Sequence, residues 1–249
     1  MPRKARIKSN SNIYHVILRG INQQIIFEEN EDYLFFISIL KYYKSKCDYN
    51  LYAYCIMDNH IHLLIKNTTT DLDVVMKRIE VKFVRWYNHK YQRSGYLFQD
   101  RFKSEPIDDY RYFRTVFRYI HQNPLKAGLE KTPGTFPWSS YNDYAYLNRS
   151  FIDIDEILVL FPNHSECMRY LHTISNEKCL DYYSSSRLPD TEALKIIKEN
   201  TGYNSPSDFQ HLDISTRNTY LRQLSQNGIS IRQLSRLTGI SRTAISSAT

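Results

Sequence analysis

Glycine is scarce in this chain, with seven in 249 residues, so few backbone positions use its conformational freedom. No GxxxxGK[ST] run is present, which removes the glycine-rich loop that cradles nucleotide phosphates. The four cysteines, Cys47, Cys55, Cys167 and Cys179, form no CxxC pair. That excludes a zinc-ribbon or disulfide framework and leaves reduced core thiols. No apolar run approaches the length of a membrane span, and the first 12 residues are basic and polar without a hydrophobic signal core. These absences imply a soluble, cytoplasmic protein with no membrane partner. Acid is missing too from residues 214–249, which carry five basic side chains.

What the chain does have is tyrosine and positive charge. There are 21 tyrosines, most of them expected in half-wet packing, while an exposed remainder offers flat rings on which bases can stack. The net charge is +7 and is unevenly spread. Residues 1–150 hold 23 Lys/Arg against 15 Asp/Glu, and residues 151–213 hold 5 against 11. Two basic blocks flanking an acidic one suggest two surfaces that meet a polyanion.

Hydrophobic periodicity then places the elements. A basic arm (Arg3, Lys4, Arg6, Lys8) leads into a strand at Ile13–Leu18. A helix begins at a cap between Asn30 and Asp32 and runs to about Cys47. Strands at Leu51–Met57 and His60–Ile65 are joined through Asp58-Asn59, a pair that accepts turn conformations. A long helix from Leu72 to about Tyr91 follows, its apolar stripe running from Leu72 through Val75, Ile79 and Phe83 to Tyr87. Phe102–Ile107 reads as a fourth strand, and Asp109–His121 as a helix stopped at Asn123-Pro124. The order β-α-β-β-α-β-α implies an α+β fold, an antiparallel sheet with helices packed on it.

Two short patterns carry candidate chemistry. In His60-Ile61-His62 the histidines alternate with a core residue on a strand, so both imidazoles point to one face and can reach one metal ion. By itself an HxH is more often two unrelated histidines. In the helix ending at Pro124, Tyr119 and Asn123 are one turn apart on a common face. They offer a phenol nucleophile beside an amide ligand, or simply a core tyrosine and a capping asparagine. His121, two residues from Tyr119, points away from it, which suits packing or DNA contact better than general-base work.

Taken in order, these patterns resemble a known family. Met57-Asp58-Asn59-His60-Ile61-His62-Leu63-Leu64 resembles the signature of HUH transposases, specifically the single-tyrosine group that includes REP-associated tyrosine transposases. Tyr119-Ile120-His121-Gln122-Asn123-Pro124 with Lys126-Ala127-Gly128 resembles that group's tyrosine helix. Tyr14-His15-Val16, Arg19-Gly20 and Leu97-Phe98-Gln99 with Arg101-Phe102-Lys103-Ser104 fall in the expected order over residues 1–147. One departure is Tyr96, where relatives often carry His or Pro.

The resemblance implies a ferredoxin-like HUH domain over residues 1–149 that cuts single-stranded or hairpin DNA. Tyr119 would be the nucleophile, and the product a 5′-phosphotyrosine with a free 3′-OH. His60, His62 and Asn123 would hold a divalent metal, Mg²⁺ or Mn²⁺, with Mn²⁺ the better match to imidazole. Arg78, Lys82, Arg85, Arg101 and Lys103 are expected on the phosphates of the strand being cut.

Residues 150–186 read as an acidic linker or extension, and 187–249 as a small all-α helix-turn-helix domain. In the latter a helix at about Ile231–Leu237, a turn at Gly239 and a second helix capped by Ser241 would be held together by Ile231, Leu234, Leu237, Ile240 and Ile245. From about Thr191 this segment resembles the DnaA-type C-terminal domain. Arg232, Arg236, Arg242 and Thr243 are the residues expected on duplex DNA. The function so implied is a metal-dependent, site-specific single-strand endonuclease and strand transferase, a transposase of the bacterial nucleoid acting as monomer or homodimer. The alternatives are a non-catalytic DNA-binding regulator derived from a transposase and, more distantly, a single-stranded RNA binder.

Overall fold

A computed structural model describes residues 6–149, 151–175, 177, 179–180, 190–203, 209 and 211–248. Arg3 and Lys4 of the basic arm lie outside these residues. The chain divides into two compact units, Met1–Tyr182 and Tyr183–Thr249.

The first unit is built on four antiparallel strands, β1 (Ile13–Arg19), β2 (Tyr49–Ile56), β3 (His60–Asn67) and β4 (Lys103–Pro106), in the order β2-β3-β1-β4. The apolar run of β1 has no polar alternation because both of its faces are covered, and Tyr14 to Leu18 are all buried. On one face lies α1 (Asn30–Cys47), which receives the Tyr49 hydroxyl at the Leu40 carbonyl, 2.6 Å, with α2 (Leu72–Lys90) packed along it. On the other lies α3 (Tyr110–His121), against β2 and β3.

Helix ends follow local chemistry. Glu29, one residue ahead of the expected cap, starts α1, and Asp32 reaches back to it in a capping box. Asp32 is fully buried yet takes hydrogen bonds from the Glu28 and Glu29 amides, Lys90 Nζ and the Tyr91 hydroxyl. Burial pushes its carboxyl up, but these four donors outweigh it and hold the pKa below the usual range. Pro124 does not end the tyrosine helix outright. It sits in the first turn of a further turn of helix, α4 (Asn123–Lys126), where its missing N–H costs no bond.

With glycine scarce, other residues take left-handed backbone. Asn12, Asn22, Gln23, Asp48, Gln92 and Leu147 have positive φ among the described residues. Five of these are Asn, Asp or Gln, and Asp48 terminates α1 this way.

The expected acidic linker differs from what the structure shows. Short helices α5 (Tyr141–Ala145), α6 (Ile154–Leu158) and α7 (His164–His172) belong to the first unit. Ile152, Ile154, Ile157, Phe161, Cys167 and Leu171 are all buried in its core. The acidic side chains of this stretch lie mostly outside that apolar stripe, so composition suggested a spacer where periodicity marks a packed element. Residues 181–189, which include the rest of that stretch, are outside the described residues.

The second unit has its own core of Ala193, Ile197, Phe209, Leu221, Leu224, Ile229, Leu234, Ile240, Ile245 and Ala248. Its helices are α8 (Asp190–Thr201), α9 (Ile214–Gln226), α10 (Ile231–Thr238) and α11 (Arg242–Ala248). Asp213 caps α9 and Ser230 caps α10. Gly239, at φ 73°, turns the chain, and Ser241 Oγ accepts from the Ala244 amide at the start of α11. Leu234, Ile240 and Ile245 are buried between the helices, with Ile231 and Leu237 partly so.

Candidate active site

The register of the sheet assembles the site. Ile17 of β1 pairs with His62 of β3, Arg19 with His60, and His15 with Leu64, while on the outer side His15 pairs with Glu105 and Ile17 with Lys103. Directly opposed residues share a face. His15, Arg19, His60, His62, Lys103 and Glu105 therefore all project toward the α3 side, while Ile61 enters the core behind them.

Tyr119 descends from α3 onto this face. Its ring centroid is 5.8 Å from that of His62 and 6.0 Å from that of His15, and the His60 and His62 rings are 5.0 Å apart. Asn123 donates through Nδ2 to the Tyr119 carbonyl, 3.1 Å, which fixes the amide one turn below the phenol. The structure thus brings His60, His62 and Tyr119 together, with Asn123 one helical turn from Tyr119. Tyr119 is only 7% exposed; the half-buried His60 and the exposed Lys126 are the members that reach solvent.

Both histidines of the HxH present a donor atom. His60 gives its Nδ1 proton to Asn59 Oδ1 at 2.6 Å, so the lone pair is on Nε2. His62 is fully buried, its Nδ1 is 3.0 Å from His15 Nε2, and its Nε2 is buried without a hydrogen-bond partner. Burial first, then the neighbouring His60 and His15, push the His62 pKa well below the ordinary value, so it is neutral at pH 7. A neutral imidazole with an engaged Nδ1 and an orphaned Nε2 suits a metal ligand. Among the described residues no three His, Cys, Asp or Glu side chains are grouped to hold a metal ion. A third protein ligand beside His60 and His62 would have to come from another donor type, and Asn123, one turn from Tyr119, could offer its amide oxygen. This donor set fits a divalent ion that keeps sites open for phosphate and water.

His121 is excluded from the chemistry. It is buried, with Nδ1 2.9 Å from the Phe117 carbonyl and Nε2 2.8 Å from Ser140 Oγ. Burial pushes its pKa down to about 4, against the opposing hydrogen bonds. A histidine at its ordinary value in the unfolded chain binds a proton between about pH 6.5 and 4 that the folded protein refuses. Stability contributed by neutral His121 is therefore present above pH 6.5 and is lost as pH falls toward 4, by up to about 3 kcal/mol. Urea unfolding at pH 7 and pH 4.5 should show this loss in the parent and a correspondingly smaller one in His121→Gln. Equal losses would mean another group carries the acid sensitivity.

The basic residues expected on the cut strand separate. Lys103 is on the Tyr119 face of the sheet, and Arg101 lies beside it in a small pocket with Arg6. Arg78, Lys82 and Arg85 are elsewhere. With Phe35, Tyr43 and Trp86 they line a groove of about 930 Å³ along α1 and α2. The sheet stands between that helical layer and Tyr119, so these three cations do not join the site. Periodicity placed them off the apolar stripe of α2 but could not say on which side of the sheet that helix packs. In the second unit Arg236, Arg242 and Thr243 are exposed, while the side chain of Arg232 is outside what the structure describes.

Lys126, Arg19 and Glu105 were not singled out as site residues. Lys126 Nζ stands 4.3 Å from the Tyr119 ring centroid. Its spacing of seven residues, two helical turns, is the signal that would have found it. Arg19 and Glu105 join through strand pairing, which no local pattern reveals.

The arrangement is a strand HxH facing a helix tyrosine on one side of an antiparallel sheet. Residues 8–123 match the family model described as "Transposase IS200 like". Among solved structures, a REP-associated tyrosine transposase bound to a REP hairpin is similar at 18% identity and a TM-score of 0.51, over 62% of this chain and 90% of that one. The α+β architecture is the same. A transposase candidate from Deinococcus radiodurans shares 17% identity over 48% of this chain and 95% of that one, with a TM-score of 0.35. No curated protein matches the chain. Among the described residues no helix is long and apolar enough to cross a membrane.

Proposed function

We propose that this protein is a transposase, a metal-dependent single-strand DNA endonuclease and strand transferase that works through a covalent bond to Tyr119. The observation that carries this reading is the orphaned, buried Nε2 of His62 beside His60 and the Tyr119 ring. A buried polar atom left unpaired costs about 1–3 kcal/mol, so its retention speaks for a ligand.

In the proposed reaction the Tyr119 oxygen attacks a backbone phosphorus. An O–P bond to the tyrosine forms, the P–O3′ bond breaks, the phenol proton passes to solvent, and the departing 3′ oxygen leaves as a hydroxyl. A second 3′-OH reverses these steps and joins strands without a nucleotide cofactor, because the phosphodiester energy stays in the tyrosine link. His60, His62 and the Asn123 amide would hold Mg²⁺ or Mn²⁺, which when bound polarises the phosphoryl oxygen and stabilises charge building on phosphorus. Lys103 and Arg101 would hold adjoining phosphates, and Lys126 adds positive charge where the phosphate must sit.

Incubation with a labelled single-stranded hairpin and Mn²⁺, followed by a denaturing gel, tests the reading. A protein–DNA adduct is expected. Binding with no adduct under any divalent ion would instead favour the DNA-binding regulator.

The second unit's two helices about Gly239, with exposed Arg236, Arg242 and Thr243, support duplex binding by a helix-turn-helix. A chain ending at Tyr182 is expected to keep adduct formation on a short hairpin and to lose about tenfold or more in affinity for flanking duplex. Matched single- and double-stranded probes at two salt concentrations measure both. Equal loss on the two probes would make the second unit a structural part of the first.

A further inference from the structure

Behind the HxH pair lies a line of three polar groups crossing from β4 through β1 to β3. Glu105 Oε2 is 3.7 Å from His15 Nδ1, and His15 Nε2 is 3.0 Å from His62 Nδ1. The two imidazoles are fully buried and stacked, with centroids 5.2 Å apart and planes at 24°. Each histidine is held in place by the pairing of its strand, so the line is a product of the sheet register.

We propose that Glu105 and His15 are positioning residues that hold His62 in the one tautomer whose Nε2 carries its lone pair. The proposal rests on the metal reading above and supplies its missing support. An ionised carboxylate only accepts, so the Glu105 end draws the His15 proton to Nδ1. His15 Nε2 then has to accept, and the hydrogen bond to His62 has to run from His62 Nδ1–H. That leaves His62 Nε2 as an acceptor aimed into the cluster with His60 and Tyr119. The opposite direction is doubly unfavourable. It sets a lone pair of His15 toward the carboxylate, and it puts a proton on His62 Nε2, where no protein acceptor exists.

The same pattern explains the burial of His15. His15, on a strand covered on both faces, is fully buried with Nε2 hydrogen-bonded to His62 and Nδ1 turned to the Glu105 carboxylate at 3.7 Å, an ion-pair distance rather than a hydrogen bond. A carboxylate–histidine pair behind a ligating histidine fixes ring orientation and raises ligand basicity, and its loss typically weakens metal binding by about 10–100-fold. Here the carboxylate acts through an intermediate imidazole because β1 separates β4 from β3.

Nitrogen-15 NMR of the histidine rings in the metal-free, full-length protein tests the tautomer directly. His62 is expected with Nδ1 protonated and Nε2 bare, and finding the proton on Nε2 overturns the proposal with no variant needed. Mn²⁺ titration followed by electron paramagnetic resonance is the second measurement. His15→Phe keeps the ring volume but removes the acceptor, and Mn²⁺ binding should weaken about 10–100-fold while the His62 tautomer becomes mixed. His15→Gln, which can accept from His62 and donate to Glu105, should restore both within a few-fold. An unchanged tautomer and Mn²⁺ affinity in folded His15→Phe would overturn the positioning role. A wild type with the expected tautomer that binds no Mn²⁺ upholds the relay and sinks the metal reading, so the two failures are distinct.

Discussion

Tyr119→Phe should abolish the covalent DNA adduct while leaving fold, metal affinity and DNA binding nearly unchanged. The argument is geometric. The Tyr119 ring packs edge-on against both His15 and His62 and lies under Lys126 Nζ, and all three contacts use ring carbon rather than the hydroxyl. A phenylalanine therefore keeps these three ring contacts and removes the attacking oxygen, at a cost to cleavage of about 10⁴-fold or more. The chain holds 21 tyrosines, so the assignment is exposed to refutation. Tyr49, Tyr52, Tyr54, Tyr87 and Tyr144 have pKa values pushed up, in each case first by burial, and are poor alternatives. An adduct that persists in the Phe variant, mapped by peptide sequencing to another tyrosine, would remove Tyr119 from the reaction.

Lys126 offers a graded companion to this result. Its side chain is exposed and stands over the Tyr119 ring, so Lys126→Ala should leave stability within about 0.5 kcal/mol. If the ammonium contacts the phosphate at the site, the same change should slow adduct formation about tenfold and flatten its salt dependence.

Much of this site was legible in the chain because its first parts are local. The HxH alternation and the Tyr119/Asn123 spacing each fit within one element, where a period of two or four residues fixes the shared face. The strands that carry the site were legible for a related reason. Covered on both faces, β1 and β3 are short apolar runs bounded by turn residues, and β2 precedes its partner through the three-residue link Met57-Asp58-Asn59. What escaped depends on pairing between distant segments. His15 meets His62 across 47 residues and Glu105 across 90, so neither contact leaves a mark at helical or strand spacing. The same limit misplaced Arg78, Lys82 and Arg85: charge and periodicity say which side of α2 is wet, whereas the choice of sheet face is tertiary. For residues 150–171 composition left a linker and an extension both open. Their acids suggested a spacer, but Ile154, Ile157, Cys167 and Leu171 recur at the spacing of packed helices.

The two metal-ligand substitutions are expected to differ, and the difference follows from burial. His62→Ala removes a fully buried imidazole whose Nδ1 is tied to His15, and it leaves His15 Nε2 facing a cavity. Cleavage should fall by about 10³-fold or more, since stabilisation worth several kcal/mol of developing charge is lost and water is poorly placed to replace it. His60→Ala removes a half-buried ring at the start of β3, hydrogen-bonded to Asn59 in the neighbouring turn. There solvent can fill the vacated coordination site, so cleavage should fall less, and excess Mn²⁺ should restore part of it. Asn123→Ala should be milder still in metal affinity, because an amide oxygen is a weak ligand. It also loses the bond to the Tyr119 carbonyl, so its defect should appear in the adduct rate as much as in Mn²⁺ binding. Mn²⁺ titrations of the three variants, with adduct rates at saturating and limiting metal, separate these effects. The expected order of damage is His62, then His60, then Asn123. Undiminished cleavage in EDTA, or a His62→Ala protein that is folded and fully active, would remove the HxH pair from the chemistry and return it to two buried strand histidines.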